Sequence, residues 1–368
     1  MKHNLIKRGL LAGVLFLSLG LQAQIDQLTP QEQRYRDSIA KLNQQNATIA
    51  ASQEAYNKGI DLFNKKNYTG AIAEFKKSVS SDPNFTAAYY NMGVAENEAE
   101  QYKNAVETFT LLLKKDPSYS KAYFQRGRSY QGLSDYLNSE KDYEKSIQID
   151  PKNPKAYYNY GTLKFMQEDY NTAIKYFSKT IELDPSNAYA YNDRGSCYRM
   201  QQNYPKALAD YEEAQRKNPN LAFVLNNIGT TKKKTKDYVG ALAAFNRAIS
   251  IDANYYMAYN NRGATQMEKG SIDEALKDFE KAFQINNKYA PAASNLSAAY
   301  FKKKDYKKAI EWATKAIQID ANYASAYVNR GLAREMERDI DGACEDWHKA
   351  NELGSPEGKT YYSGNCSN

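Results

Sequence analysis

Residues 188–221 read AYAYNDRGSCYRMQQNYPKALADYEEAQRKNPNL, and this stretch holds every position that decides the fold. Its glycine, Gly195, recurs at intervals of 34 residues as Gly59, Gly93, Gly127, Gly161, Gly229, Gly263 and Gly331, with Ser297 in the remaining place. Twelve residues after each comes a small one: Ala71, Ala105, Ser139, Ala173, Ala207, Ala241, Ala275, Ala309 and Ala343. Four further on stands an aromatic, from Phe75 through Tyr211 to Trp347, with Ala313 the exception. Counted from Ser52, nine such units reach Glu357 without an inserted or missing residue. A fixed period of this length marks stacked repeats, in which each unit buries its face only against its neighbours. Pro83, Pro117, Pro151, Pro185 and Pro219 close the first five units, because the residue before a proline is pushed out of the helical region. Ala253, Asn287 and Ala321 stand in that place later, so Asn and Asp turn chemistry must stop those helices.

Small residues at positions eight and twenty, an aromatic at twenty-four and a proline near thirty-two resemble the tetratricopeptide repeat over about five-sixths of the chain. The resemblance implies an all-α, right-handed solenoid of about nine contiguous helix-turn-helix repeats, each a helix A followed by a helix B. The expected organisation is a signal peptide at 1–23, a polar heptad segment at 24–51 (a helical cap or partly disordered), repeats at 52–357 and a capping tail at 358–368.

The resemblance also implies a peptide-binding groove on the concave face, lined by the A helices. Position six there is Asn57, Asn91, Gln125, Asn159, Asp193, Asn227, Asn261, Asn295 and Asn329. In the family an Asn at this place can hydrogen-bond the main chain of an extended peptide; a bond to the neighbouring helix is the other reading, and both stay open. Around it the residues vary, with Tyr90, Phe124, Arg128, Tyr158 and Arg199 among the candidates for partner contact. The clamp that chaperone-binding members use needs a Lys at position five, which no unit has.

Two recurrent tyrosine slots read as core: Tyr89, Tyr123, Tyr157, Tyr191, Tyr259 and Tyr327 on helix A, and Tyr68, Tyr102, Tyr136, Tyr170, Tyr204, Tyr238 and Tyr306 at the turn. Position seven alternates. Odd units carry Lys58, Arg126, Arg194, Arg262 and Arg330, and sixteen residues later Glu74, Asp142, Asp210, Asp278 and Asp346; even units are uncharged at both places. Arg suits a bridge from helix A to helix B, since its planar fork grips a carboxylate bidentately. Because each arginine has its own acid, a phosphate-reading ladder is not expected, and neither is nucleic-acid binding.

The formal charge of +7 includes Lys2, Lys7 and Arg8. These precede an apolar run from Leu10 to Leu21 and then Gln22-Ala23-Gln24, the pattern of a secretory leader cut after Ala23. No cysteine follows for a lipid anchor and no second apolar run spans a membrane, so the expected place is the periplasm or the exterior. In an oxidising compartment Cys344 and Cys366 can pair, leaving Cys197 reduced in a packed helix. Tyr35, Ile39, Leu42, Asn46, Ile49, Gln53, Tyr56, Ile60 and Phe63 fall at steps of four and three, which fits either one long helix entering repeat one or a weak coiled coil able to join copies of the chain.

His348 is the only histidine after the leader, and no nucleophile-elbow, zinc-protease, phosphate-loop or dinucleotide motif occurs. The chain therefore reads as a non-catalytic scaffold without cofactor or metal, whose partner is a protein or peptide. A carbohydrate- or cell-wall-binding solenoid and a self-associating structural component are the alternatives.

Overall fold

Seven of the nine units begin their second helix the same way; Gln101 and Ser271 stand at that place in the other two and make no such bond. The side chain of Asn67, Asp135, Asp169, Asn203, Asp237, Asp305 or Asp339 accepts from the backbone N–H three residues on, satisfying a donor that the helix start leaves unpaired. The residue just before it takes positive φ, between 58° and 68° in eight units, while Gly270 takes 87° in the ninth. That left-handed residue terminates helix A and turns the chain straight into helix B.

The computed structural model of the chain describes residues 29–366, and the leader expected at 1–23 lies outside them. Among the described residues there are nineteen helices and no strand. Their contacts gather into two compact units that divide after Pro151; in an array held only by neighbour contacts, such a division needs no linker.

The first unit holds α1 (Pro30–Asn64), α2 (Tyr68–Ser81), α3 (Thr86–Glu98), α4 (Tyr102–Lys115), α5 (Ser120–Gly132) and α6 (Tyr136–Ile149). The second holds α7 (Pro154–Met166), α8 (Tyr170–Leu183), α9 (Ala188–Met200), α10 (Tyr204–Lys217), α11 (Ala222–Lys234), α12 (Tyr238–Ile251), α13 (Tyr256–Glu268), α14 (Ile272–Ile285), α15 (Ala290–Lys302), α16 (Tyr306–Ile319), α17 (Ala324–Met336), α18 (Ile340–Glu352) and α19 (Pro356–Asn365). Each is an all-α stack of helical hairpins. No described helix is long and apolar enough to cross a membrane.

The glycine slot is a packing requirement. A Cβ on Gly93 would sit 2.6 Å from the ring of Phe109, and one on Gly229 2.6 Å from Phe245. Where Ser297 replaces glycine the aromatic is Ala313, and the serine hydroxyl donates to the Ala309 carbonyl at 2.7 Å. Helix B ends on the same Asx turn with or without proline: Asp82 and Asp116 accept from residues 84 and 118 in the proline units, and Asp252 and Asp320 accept from residues 254 and 322 in units that lack it.

The tyrosine slots need correction. Of the helix A set only Tyr157 is buried; the others, and all of the turn set, are half-buried. Half-burial suits the amphipathic phenol, whose ring can pack while its polar tip stays free to bond.

Two further outcomes concern the ends. Helix α1 is a single helix 35 residues long, but every residue from 29 to 51 is exposed. It does not cover repeat one, because its antiparallel neighbour α2 runs out beside Ser52, whose hydroxyl bonds to Ser78. At the other end α19 lies on α18, with Tyr361 stacked on Trp347 at 5.3 Å and Cys344 joined to Cys366 across a Cα–Cα distance of 5.7 Å. The tail helix starts at Pro356, two residues before position 358. Cys197 is buried, and burial pushes its thiol up to about 12. Reduction of the bridge should cost the terminal hairpin about 3 kcal/mol, the scale for a closed loop of this size. Loss of the Trp347–Tyr361 contact would appear as a change in tryptophan fluorescence on adding reductant, absent in Cys366→Ser.

Candidate functional site

The A-helix residues at positions five and six form a chain of hydrogen bonds between successive repeats. In the second unit Asn227 Nδ2 donates to Asn192 Oδ1 at 2.9 Å, Asn261 Nδ2 to Asn226 Oδ1 at 2.9 Å and Asn295 Nδ2 to Asn260 Oδ1 at 2.8 Å. Asn329 Nδ2 continues the series to the Ser294 carbonyl and hydroxyl at 3.1 and 3.0 Å. In the first unit Asn91 Nδ2 donates to the Tyr56 hydroxyl at 2.8 Å. Position six therefore ties five of the A helices to the one before it, which accounts for a poor helix former at those places. Asn159 differs, donating to the Lys155 carbonyl of its own helix at 2.9 Å.

Asp193 takes the place of an asparagine in this series and reverses the polarity. Tyr158 donates its hydroxyl to Asp193 Oδ2 at 2.7 Å and Asn192 Nδ2 donates to Oδ1 at 2.9 Å. Burial pushes the Asp193 carboxyl up against the pull of those two donors, and burial beside Asp193 raises the Tyr158 phenol.

The series is not saturated. Among the described residues no protein group takes the second amide function of Asn226 and Asn260 (their Nδ2) or of Asn261 and Asn295 (their Oδ1). One donor and one acceptor are thus left at each of two successive repeat junctions, the donors on Asn226 and Asn260, which are only 8% and 6% exposed.

The variable neighbours are placed less openly than their variability implies. Phe124 is 8% exposed and packs against Tyr143 at 6.1 Å, so its ring is core and cannot meet a partner. Tyr90 lies against Tyr119 at 5.5 Å, Arg128 reaches Gln125 at 3.0 Å and Glu98 at 3.5 Å, and Arg199 donates to the Tyr211 hydroxyl at 3.3 Å. These contacts turn the side chains onto their own repeat or, for Arg128 against Glu98, onto the one before. The Tyr189 ring, 50% exposed and stacked on Phe223 at 5.9 Å, is more open than any of them.

Beneath this face the alternate-repeat arginines hold the hairpins together. Arg126 Nε and Nη2 donate to Asp142 at 2.7 and 2.8 Å, Arg194 to Asp210 at 2.8 and 2.7 Å, Arg262 to Asp278 at 2.8 and 2.6 Å, and Arg330 to Asp346 at 2.9 and 2.6 Å. Lys58 meets Glu74 with a single contact of 3.2 Å. Sequence reasoning missed the third partner. Nη1 of each arginine donates sixteen residues back, to Thr110, Ser178, Asn246 or Thr314, on helix B of the preceding repeat. The signal was present, because the odd repeats carry Lys76, Glu144, Glu212, Glu280 and His348 at that position. A tyrosine face completes each site, with Tyr123, Tyr191, Tyr259 and Tyr327 centred 5.4 to 5.7 Å from the guanidinium. The even repeats fill the same space with apolar groups: Tyr160 stacks on Tyr176 at 4.2 Å, and Leu296 shares a cluster with Trp312.

Among the described residues no group of His, Cys, Asp and Glu could hold a metal ion. Sequence models of the tetratricopeptide repeat match residues 56–120 and 161–222, 255–322, 142–175, and 120–153 and 224–255. The chain belongs to the tetratricopeptide-repeat family. Among solved structures, a tetratricopeptide-repeat protein from Parabacteroides merdae is 19% identical, with a TM-score of 0.57 over 66% of this chain and 97% of that one. The Cut9–Hcn1 assembly of the APC/C is 14% identical, with a TM-score of 0.56 over 86% and 76%. Yeast Tom70 is 15% identical, with a TM-score of 0.50 over 85% and 95%. At such identities the likeness is one of fold, the tetratricopeptide-repeat hairpin stack, and not of partner. No curated protein matches the chain.

Proposed function

We propose that this tetratricopeptide-repeat protein is a non-catalytic scaffold of the cell envelope that holds an extended segment of another protein along its A-helix face. The leader-like residues before Gln24 support the location. The unused donor and acceptor at Asn226–Asn261 and Asn260–Asn295 carry the binding reading. A donor and an acceptor repeated at two successive repeat junctions suit a peptide backbone, which offers both at regular intervals, whereas side-chain contacts around them set partner choice. Membership of a family of interaction modules supports the same class and no reaction chemistry. The open Tyr189–Phe223 stack favours one rival, a sugar ring laid on an aromatic face.

Photo-crosslinking separates these readings. A crosslinking residue in place of the half-buried Ala298, one turn from Asn295, should capture a partner from envelope extract, and one in place of Val239, 75% exposed on a B helix, should not. Equal capture at both positions would remove the A-helix face as the site. Saturation of a glycan array, with no protein captured, would move the assignment to carbohydrate.

A further inference from the structure

The apolar stripe that α1 buries in repeat one does not stop at the edge of the repeat. Phe63, Ile60 and Tyr56 pack around Phe75 and Ala88, and counting back in steps of three and four the same stripe crosses the polar Gln53 and runs on through Ile49, Asn46, Leu42, Ile39 and Tyr35. There it meets solvent: Tyr35 is 68%, Ile39 40%, Leu42 50% and Ile49 56% exposed. Residues 30–51 extend roughly 33 Å beyond the hairpin at 1.5 Å per residue. No tertiary packing supports this stretch, and packing is what supplies most helical stability in proteins.

In heptad terms Ile39 and Asn46 occupy a, and Tyr35, Leu42 and Ile49 occupy d. A β-branched residue at a beside leucine at d favours two parallel strands, and one asparagine at a fixes register by pairing with its own equivalent. The charges leave this seam clear. Arg34 and Lys41 fall at c and Asp37 at f, while the flanking g positions hold Gln31, Ser38 and Gln45 and the e positions Asn43 and Ala50. Between 35 and 49 Arg36, at e, is the one charge on the rim and falls opposite Gln31, so this segment pairs without like-charge repulsion, while Glu32, at the preceding a position, lies beyond it. A partner of opposite charge would find a single basic residue along the seam to read. Glu32 does not add to it, because its carboxylate is taken by the amide and hydroxyl of Thr29.

We propose that the chain self-associates through residues 35–49 as a parallel, two-stranded coiled coil, with the Asn46 side chains paired across the seam. The occupant of the exposed stripe is a second copy, and the pair carries two repeat arrays on one stalk, whatever ligand the arrays take. Simultaneous use of both arrays would raise apparent affinity for a repetitive or clustered partner.

Sedimentation of the full chain over about 1–100 μM should show a mass rising from monomer to dimer. Ile39→Glu with Leu42→Glu should stay monomeric throughout and melt as the parent does, since neither side chain is part of the repeat core. Asn46→Cys should form an intermolecular disulfide on mild oxidation, which needs the two residues opposite each other. A parent that is monomeric over the whole range, or a double variant that dimerises equally well, overturns the proposal. A dimer that the double variant abolishes but Asn46→Cys fails to crosslink overturns the parallel register. Capture of a different protein on the stalk of a monomeric chain would assign the stripe elsewhere.

Discussion

Asp210→Ala should destabilise the second unit by about 2–3 kcal/mol in chemical denaturation, at the lower end for a broken buried pair. Asp210 is 6% exposed and receives both forks of Arg194, at 2.8 and 2.7 Å. Removal leaves the guanidinium with only the Ser178 hydroxyl and the Tyr191 ring. The side chain of Arg194 keeps 20% of its surface in water, which moderates the loss. The next repeat supplies the control. There Ile228 and Ala244 hold the equivalent positions in one apolar cluster, so Arg194→Ile with Asp210→Ala writes the even-repeat solution into an odd repeat. The double variant should recover most of the loss, as apolar replacement of buried pairs often does. A double variant no more stable than Asp210→Ala would show that the bridge is not interchangeable with apolar packing.

Glu96→Gln should stabilise the first unit by about 3 kcal/mol at pH 8 and by little at pH 4. Glu96 is 5% exposed and its Oε2 has no hydrogen-bond partner. Burial pushes its carboxyl from 4.5 up to about 7; the Thr108 hydroxyl opposes that shift, the charge of Glu107 adds to it and Lys76 opposes it. The sign follows from which state holds the proton. Between 4.5 and 7 the folded chain keeps the proton that the unfolded chain has released, so stability falls as pH rises through that window and stays low above it. Glutamine keeps the shape and removes the charge. Hydrogen exchange of α3 and α4 against pH would report it, and parallel curves for parent and variant would mean that Glu96 ionises without penalty.

The hairpin stack was legible because its causes are local and repeated. A glycine that must clear a ring sixteen residues on, an alanine between them and an Asx turn at each end all lie within one unit of 34 residues. The Arg–carboxylate register could be read for the same reason, since internal repetition sets odd against even units within one chain. What lay between repeats was harder to read. The third partner of each arginine and the destination of each position-six asparagine depend on how one hairpin rests on the last, as in Arg194 to Ser178 and Asn261 to Asn226.

By itself the sequence determined the period, the helix ends, the packing glycines and the residues available to pair, since these follow from sterics and hydrogen-bond needs along a short stretch of chain. Only the tertiary structure decided that Phe124 is core, that the recurrent tyrosines are half-buried and that residues 29–51 cover nothing. Exposure is a property of where neighbouring elements end. The side chain at Tyr35 has the spacing of a buried residue and none of the neighbours, because α2 finishes beside Ser52.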